Sequence, residues 1–228
     1  MEFDIYKEWN FKDNPFQTSA LPPMEIGSEL LAGRDNEIKI FLRRLYNQPQ
    51  VVTLEGANGI GKTSIINVAI FRAFIDYLHK KKSSPFEPKT LFIPCKKIFQ
   101  LSKDNIEFDE FENEVFIEVA QTIIDFKSDI QRVGLNLPEN IETVEKWLNS
   151  PTYGGYQASF GIPFANVGYG SNSESNPVFE KNGFHKVIKD WLAFLFPNKD
   201  SGGIVCVIDN LELLEKSDDA RKVFGGNS

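Results

Sequence analysis

The stretch that most constrains how this chain can fold is Val51–Ser64, which reads Val-Val-Thr-Leu-Glu-Gly-Ala-Asn-Gly-Ile-Gly-Lys-Thr-Ser. A short apolar run enters a glycine-rich turn, and the turn enters a stretch with helical periodicity, so the segment predicts a strand, a loop and a helix in that order. Gly56–Thr63 satisfies G-x-x-x-x-G-K-[ST] at every fixed position. The glycines allow backbone N–H groups to curl around the oxygens of an anion with no Cβ in the way. A helix starting near Gly61 aims its positive dipole end and its first-turn N–H groups at the same anion. Lys62 is the residue type that neutralises terminal phosphates at this position, and the Thr63 hydroxyl is suited to one coordination place on Mg²⁺. The candidate phosphate contacts are therefore Gly56, Ala57, Asn58, Gly59, Ile60, Gly61, Lys62, Thr63 and Ser64.

A chain of 228 residues can bury one sizeable core, or a core with a small appendage. Twenty phenylalanines point to several aromatic-rich packed helices. A formal charge of −7 argues against a wholly electrostatic nucleic-acid binder, although a local patch is compatible with it. Cys95 and Cys206 share no C-x-x-C spacing and both sit in apolar runs, so buried free thiols in a reducing compartment are expected. The start, Met-Glu-Phe-Asp-Ile-Tyr-Lys, reads as neither a signal nor a transit peptide, and no apolar run approaches the length of a membrane span. These features together predict a cytoplasmic chain.

Residues 1–30 are expected to form an extended arm, pinned by Trp9, Phe11 and Phe16 and biased away from helix by the prolines at 15, 22 and 23. Ile38, Phe41, Leu42 and Leu45 mark one face of a helix capped by Asp35 or Asn36. A first core strand follows at about 51–55, and a largely apolar helix then runs from Gly61 to about His79, with Ile65, Val68, Ala69, Arg72, Phe74, Ile75 and Leu78 on it. The run Lys80–Lys82 suits the C-terminal end of that helix. Leu91–Cys95 predicts a second strand, with Pro94 marking an edge position or the strand's end.

Steps of three and four from Phe108 through Val115, Ile123 and Ile130 to Val133 predict a long helix with one core face, and a shorter helix is expected at about Ile141–Leu148. The glycine- and aromatic-rich stretch at about 153–175 predicts a hairpin insertion (strands near 156–161 and 164–169) with a serine- and asparagine-rich tail. It is read either as a contact for DNA or a partner, or as ordinary decoration. Asn176 and Pro177 open a further helix carrying Phe184, Val187, Ile188, Trp191, Leu192 and Leu195. The two histidines, His79 and His185, have no clustered carboxylates or cysteines to form a metal site.

A second chemical signal is Gly203-Ile-Val-Cys-Val-Ile-Asp-Asn-Leu-Glu212. A continuous apolar run suits a parallel strand buried on both faces, and Asp209 then emerges at the strand's carboxyl end, where open α/β sheets place their ligands. Read together, Thr63 and Asp209 are the candidate metal residues, and Lys62, Asp209, Asn210 and Glu212 the candidate catalytic ones.

The order of these elements carries a resemblance. Asn14-Pro-Phe16, Gly33-Arg34 with Glu37, the glycine loop (a Walker A motif, or P-loop) and Ile208-Asp-Asn-Leu-Glu212 with a Walker B aspartate resemble the AAA+/STAND branch of P-loop ATPases. More narrowly, the pattern is similar to origin-recognition/Cdc6-like and bacterial STAND ATPases, over about residues 10–224. The resemblance implies an α/β fold, a P-loop NTPase three-layer sandwich with a parallel core sheet and a hairpin insertion. The domains would be an arm at 1–30, a core at 31–224 and a tail at 225–228. It also implies ATP and Mg²⁺ as ligands, Gly33 and Arg34 framing the adenine, hydrolysis to ADP and phosphate, and a protein partner or self-association. By analogy the biology would be immune signalling or DNA-linked loading.

Two departures shape this expectation. The family usually places a glutamate directly after the Walker B aspartate to position the attacking water, whereas here that residue is Asn210, whose amide is no general base. Slow hydrolysis, as in a nucleotide-gated switch, is expected, unless Glu212 or a partner's residue substitutes. A non-hydrolysing interaction scaffold and a P-loop phosphotransferase are the alternative readings. The second departure is that the sequence ends at Ser228, before the family's sensor strand, which lies between the Walker A and Walker B strands. Either those two strands pair directly, or another segment fills the slot, or the sheet has a gap. Because a gap leaves backbone groups unpaired, the expectation is a piece of a longer protein or a chain completed by a partner.

Overall fold

The computed structural model describes residues 19–47, 51–79, 90–100, 108–149, 181–198 and 202–210. The chain divides into two compact units, Met1–Lys96 and Lys97–Ser228. It is a mixed α/β protein, and its described strands form a two-stranded parallel sheet.

The first unit contains three described helices. α1 (Glu25–Leu30) lies in the stretch expected to be extended. The prolines at 22 and 23 restrict only the residues near them, and from Met24 onward helical bonds form, with Ser28 N–H donating to Met24 C=O at 3.1 Å. α2 (Asp35–Asn47) buries Ile38, Phe41, Leu42 and Leu45, the four positions that the periodicity selects. Its ladder starts one residue earlier than expected, with Ile38 N–H donating to Arg34 C=O at 3.0 Å, so Asp35 sits in the first turn as a favourable negative charge. α3 (Lys62–Leu78) packs against both α1 and α2 and buries Ile65, Asn67, Val68, Ala69, Ile70, Ala73 and Phe74.

The strand expected at about 51–55 is not formed: residues 51–57 carry no ladder. Exposure still alternates along 51–55, and Val51 is 77% exposed, so the stretch keeps a strand-like pattern without forming a ladder. β-propensity expresses itself through packing against adjacent strands, and that packing is missing here among the described residues.

β1 (Leu91–Gln100) is twice as long as the expected second strand, and its first five residues are all buried. Pro94 lies within it, which is tolerated where, among the described residues, each strand has one side without a ladder. The division between the units falls inside β1. Its later residues and the remaining elements form the second unit: α4 (Phe108–Asp125), α5 (Lys127–Arg132), α6 (Ile141–Leu148), α7 (Lys181–Leu195) and β2 (Gly202–Asp209). The single long helix expected over 108–133 is broken at Phe126, which has φ −97° and ψ 12° and leads into α5. That break keeps Ile130 buried while Lys127 reaches Glu145 on α6 at 2.9 Å.

α4 is the centre of the second unit and packs against α5, α6, α7 and β2. Trp147 and Phe184 meet at 4.9 Å between ring centres, and Phe99 meets Phe111 edge-on at 5.8 Å. Of the polar groups taken inside, Thr122 Oγ1 has no hydrogen-bond partner among the described residues, while two others are paired. His185 Nε2 lies 3.1 Å from Asn113 Oδ1 with its ring stacked on Phe116, and Trp191 Nε1 donates to Asn140 Oδ1 at 2.6 Å. His185 is thus a core residue held by an amide. β2 was expected to be buried on both faces, but only Val207 is fully buried and the rest is half-buried. The expected hairpin at 153–175, Asn14–Phe16, Glu212 and the tail lie outside the described residues.

Candidate functional site

The geometry of the glycine-rich loop follows from its three glycines, though unequally. Gly59 and Gly61 adopt φ of 76° and 86°, in the left-handed region where a Cβ is strained. Gly61 is the N-cap of α3, and the α-helical ladder begins with Ile65 N–H donating to Gly61 C=O at 3.0 Å. Gly56 has no such backbone need: a Cβ there would meet Ile60 Cγ2 at 3.5 Å and Lys62 Cδ at 3.8 Å, which is ordinary contact. Residues 55–60 are exposed, with Ile60 at 47%. Gly56, Ala57, Asn58, Gly59 and Ile60 therefore present their backbone to solvent, while Gly61, Lys62, Thr63 and Ser64 are half-buried at the start of α3.

Two cations are fastened to this loop. Lys62 Nζ donates to Gly56 C=O at 2.9 Å and to Ala57 C=O at 3.2 Å. Arg34 Nη2 donates to Ile60 C=O at 3.2 Å, and Arg34 Nη1 pairs with Glu37 Oε1 at 2.9 Å. That pair, together with the helix backbone at Glu37, holds the Glu37 carboxyl below its ordinary value. The Gly33-Arg34 element, whose Gly33 has φ 73°, is thus joined to the loop by its guanidinium. Two positive groups and a helix N-terminus converge on one exposed backbone turn, an arrangement that attracts an anion and orients it.

The remaining candidates lie elsewhere. Asp209 ends β2, and its Oδ1 accepts from the Asn210 N–H at 2.9 Å. Asn210 has φ 63°, the one positive φ outside glycine among the described residues. Asparagine tolerates this left-handed conformation better than other non-glycine residues do, and glutamate tolerates it less well. Asn210 therefore has a backbone reason for its identity besides any chemical one. Asp209 and Asn210 belong to the second unit, and Thr63 and the loop belong to the first.

Sequence reasoning missed the polar face of α3. Ser64 Oγ accepts from the Leu21 N–H at 3.0 Å, and Asn67 Nδ2 donates to Leu21 C=O at 2.8 Å. Arg72 donates through Nε to Ser28 Oγ at 2.9 Å, through Nη2 to Ser28 C=O at 3.2 Å and through Nη1 to Asp35 Oδ1 at 2.9 Å. The available signal was the presence of Asn67 and Arg72 within an otherwise apolar helical face, since polar groups there need partners.

Comparison with known proteins adds no family: no family model matches the chain, and no curated protein and no solved structure is similar to it. Among the described residues, no helix is long and apolar enough to cross a membrane.

Proposed function

We propose that this chain is the ATP·Mg-binding part of a P-loop ATPase of the STAND/AAA+ kind, working as a nucleotide-gated switch that hydrolyses ATP slowly. The observation that carries this reading is the loop itself. It has two left-handed glycines and a helix start at Lys62, and the Lys62 and Arg34 side chains donate to its carbonyls. In this reading the loop amides would bind the phosphates, Lys62 would neutralise the terminal ones, and Thr63 and Asp209 would hold Mg²⁺, which would supply positive charge against the phosphates. Arg34 borders the base, and water attacks in line with the leaving oxygen.

One further observation bears on the rate. At Asn210 a neutral amide in a left-handed turn stands where the base is usual, which favours slow turnover and keeps a non-hydrolysing binder as the second reading.

The test is nucleotide affinity by titration calorimetry for the wild type and Lys62→Ala, followed by single-turnover phosphate release. Wild-type binding that Lys62→Ala weakens at least about tenfold is expected, since a lost charge-assisted bond costs about 1.5–3 kcal/mol. Equal affinity in the two proteins, or none in either, overturns the reading. Binding without phosphate release selects the non-hydrolysing alternative.

A further inference from the structure

Residues 19–30 do not merely precede the loop; they are fastened to the helix that carries it. The Leu21 peptide is gripped on both sides, its N–H by Ser64 Oγ at 3.0 Å and its C=O by Asn67 Nδ2 at 2.8 Å. Asn67 is only 2% exposed, so loss of the bond would leave its buried amide without this partner. Further along, Arg72 holds Ser28 through both its hydroxyl and its carbonyl. The stretch between these anchors is folded back tightly: Met24 N–H donates to Pro22 C=O at 2.9 Å, and a Cβ on Gly27 would lie 2.1 Å from the Pro22 oxygen. Only glycine allows α1 to lie against Pro22 in this way.

The position of the grip gives it significance. Ser64 is in the first turn of α3, directly after Thr63, so the side chain that binds Leu21 and the backbone that faces the loop belong to one residue. Fixing Ser64 from the Leu21 side restricts the same turn that an anion must find ordered, and an anion that orders the turn fixes the acceptor for Leu21. Binding events that order a shared element assist each other, and thermodynamic linkage makes the assistance equal in both directions.

We propose that Asn67 is a positioning residue that makes residues 19–30 a strap on the loop helix, so that docking of the strap and anion occupancy of the loop strengthen one another. The direction from strap to loop stands on the geometry alone; the direction from ligand to strap rests on the phosphate-binding reading above.

Amide hydrogen exchange on the full chain tests both directions. Without nucleotide, Asn67→Ala and, independently, Gly27→Ala should speed exchange at the Leu21 amide about tenfold or more, and speed exchange at Ile60–Ser64 as well. Gly27→Ala changes no side chain of α3, so it decides the matter if Asn67→Ala fails to fold. Faster exchange at Leu21 with Ile60–Ser64 unchanged overturns the strap. With ATP·Mg on the wild type, slower exchange at both Ile60–Ser64 and Leu21 is the expected result, and protection of the loop without Leu21 also overturns the strap. If saturating ATP·Mg protects neither, the nucleotide reading has failed, and the nucleotide-free comparison still decides the strap.

Discussion

Residues 51–55 and 91–95 are both short apolar runs at the threshold of an element, yet they end in opposite states. Leu91–Cys95 is buried throughout, while Val51 at the head of the other run is mostly exposed and the run has no ladder. Composition separates the two in part, since 51–55 carries Thr53 and Glu55 where 91–95 has no charged or hydroxyl side chain. Company separates them further: β1 has β2 as a hydrogen-bonded neighbour, and Phe92 meets Tyr46 at 5.2 Å between ring centres. A strand is therefore a property of a pair, and an apolar pattern is only permission to form one. The loop gets its shape from local backbone conformation and polar side chains, which need no second strand.

The largest effect that can break this comparison is on stability. Ile93→Ala removes a fully buried side chain and should cost about 2–5 kcal/mol in denaturant unfolding. Val51→Ala should stay within about 0.5 kcal/mol, as exposed positions do. Similar losses at the two sites would show that 51–55 is packed in solution as a core strand.

An intermediate effect separates the glycines of the loop. Gly61→Ala forces a Cβ into the left-handed region and should cost about 1–2 kcal/mol. Gly56→Ala, which meets only ordinary contacts, should leave stability within about 0.5 kcal/mol while weakening nucleotide binding measured by calorimetry. Equal stability losses would mean that Gly56 is fixed by the fold and not by the ligand.

The smallest effect is electrostatic. The Glu37 carboxyl is held below its ordinary value, first by Arg34 and then by the backbone at Glu37. A folded value below the unfolded one means that the pair's contribution is present above the unfolded value and fades as pH falls through the folded one. In a carbon-detected titration Glu37 should therefore titrate at lower pH than an unpaired glutamate, and Arg34→Ala should move it upward. No change in Arg34→Ala would detach Arg34 from Glu37 and weaken the case for its place on the loop.

The local features were legible in the sequence because they depend on neighbours in the chain. The fixed spacing of Gly56–Thr63 located the loop, and the periodicity of Ile38, Phe41, Leu42 and Leu45 selected the buried face of α2 completely. The break at Phe126 was not legible, because periodicity survives a change of helix axis as long as Ile130 still reaches the core. The half-burial of β2 was not legible either, since an apolar run reports what a strand tolerates and not what covers it.

Among the candidate residues the division is the same. Sequence alone determined the residue types that can hold a phosphate and a metal, because that chemistry is written in Lys62, Thr63, Asp209 and the glycines. It also determined that Asn210 brings no general base. Only the tertiary structure decided that Asn210 occupies a left-handed turn, that Arg34 reaches the Ile60 carbonyl, and that Leu21 lies between Ser64 and Asn67. Hydrogen bonds between residues more than 20 positions apart depend on which surfaces the fold brings together, and hydrophobic pattern does not encode that choice of partner.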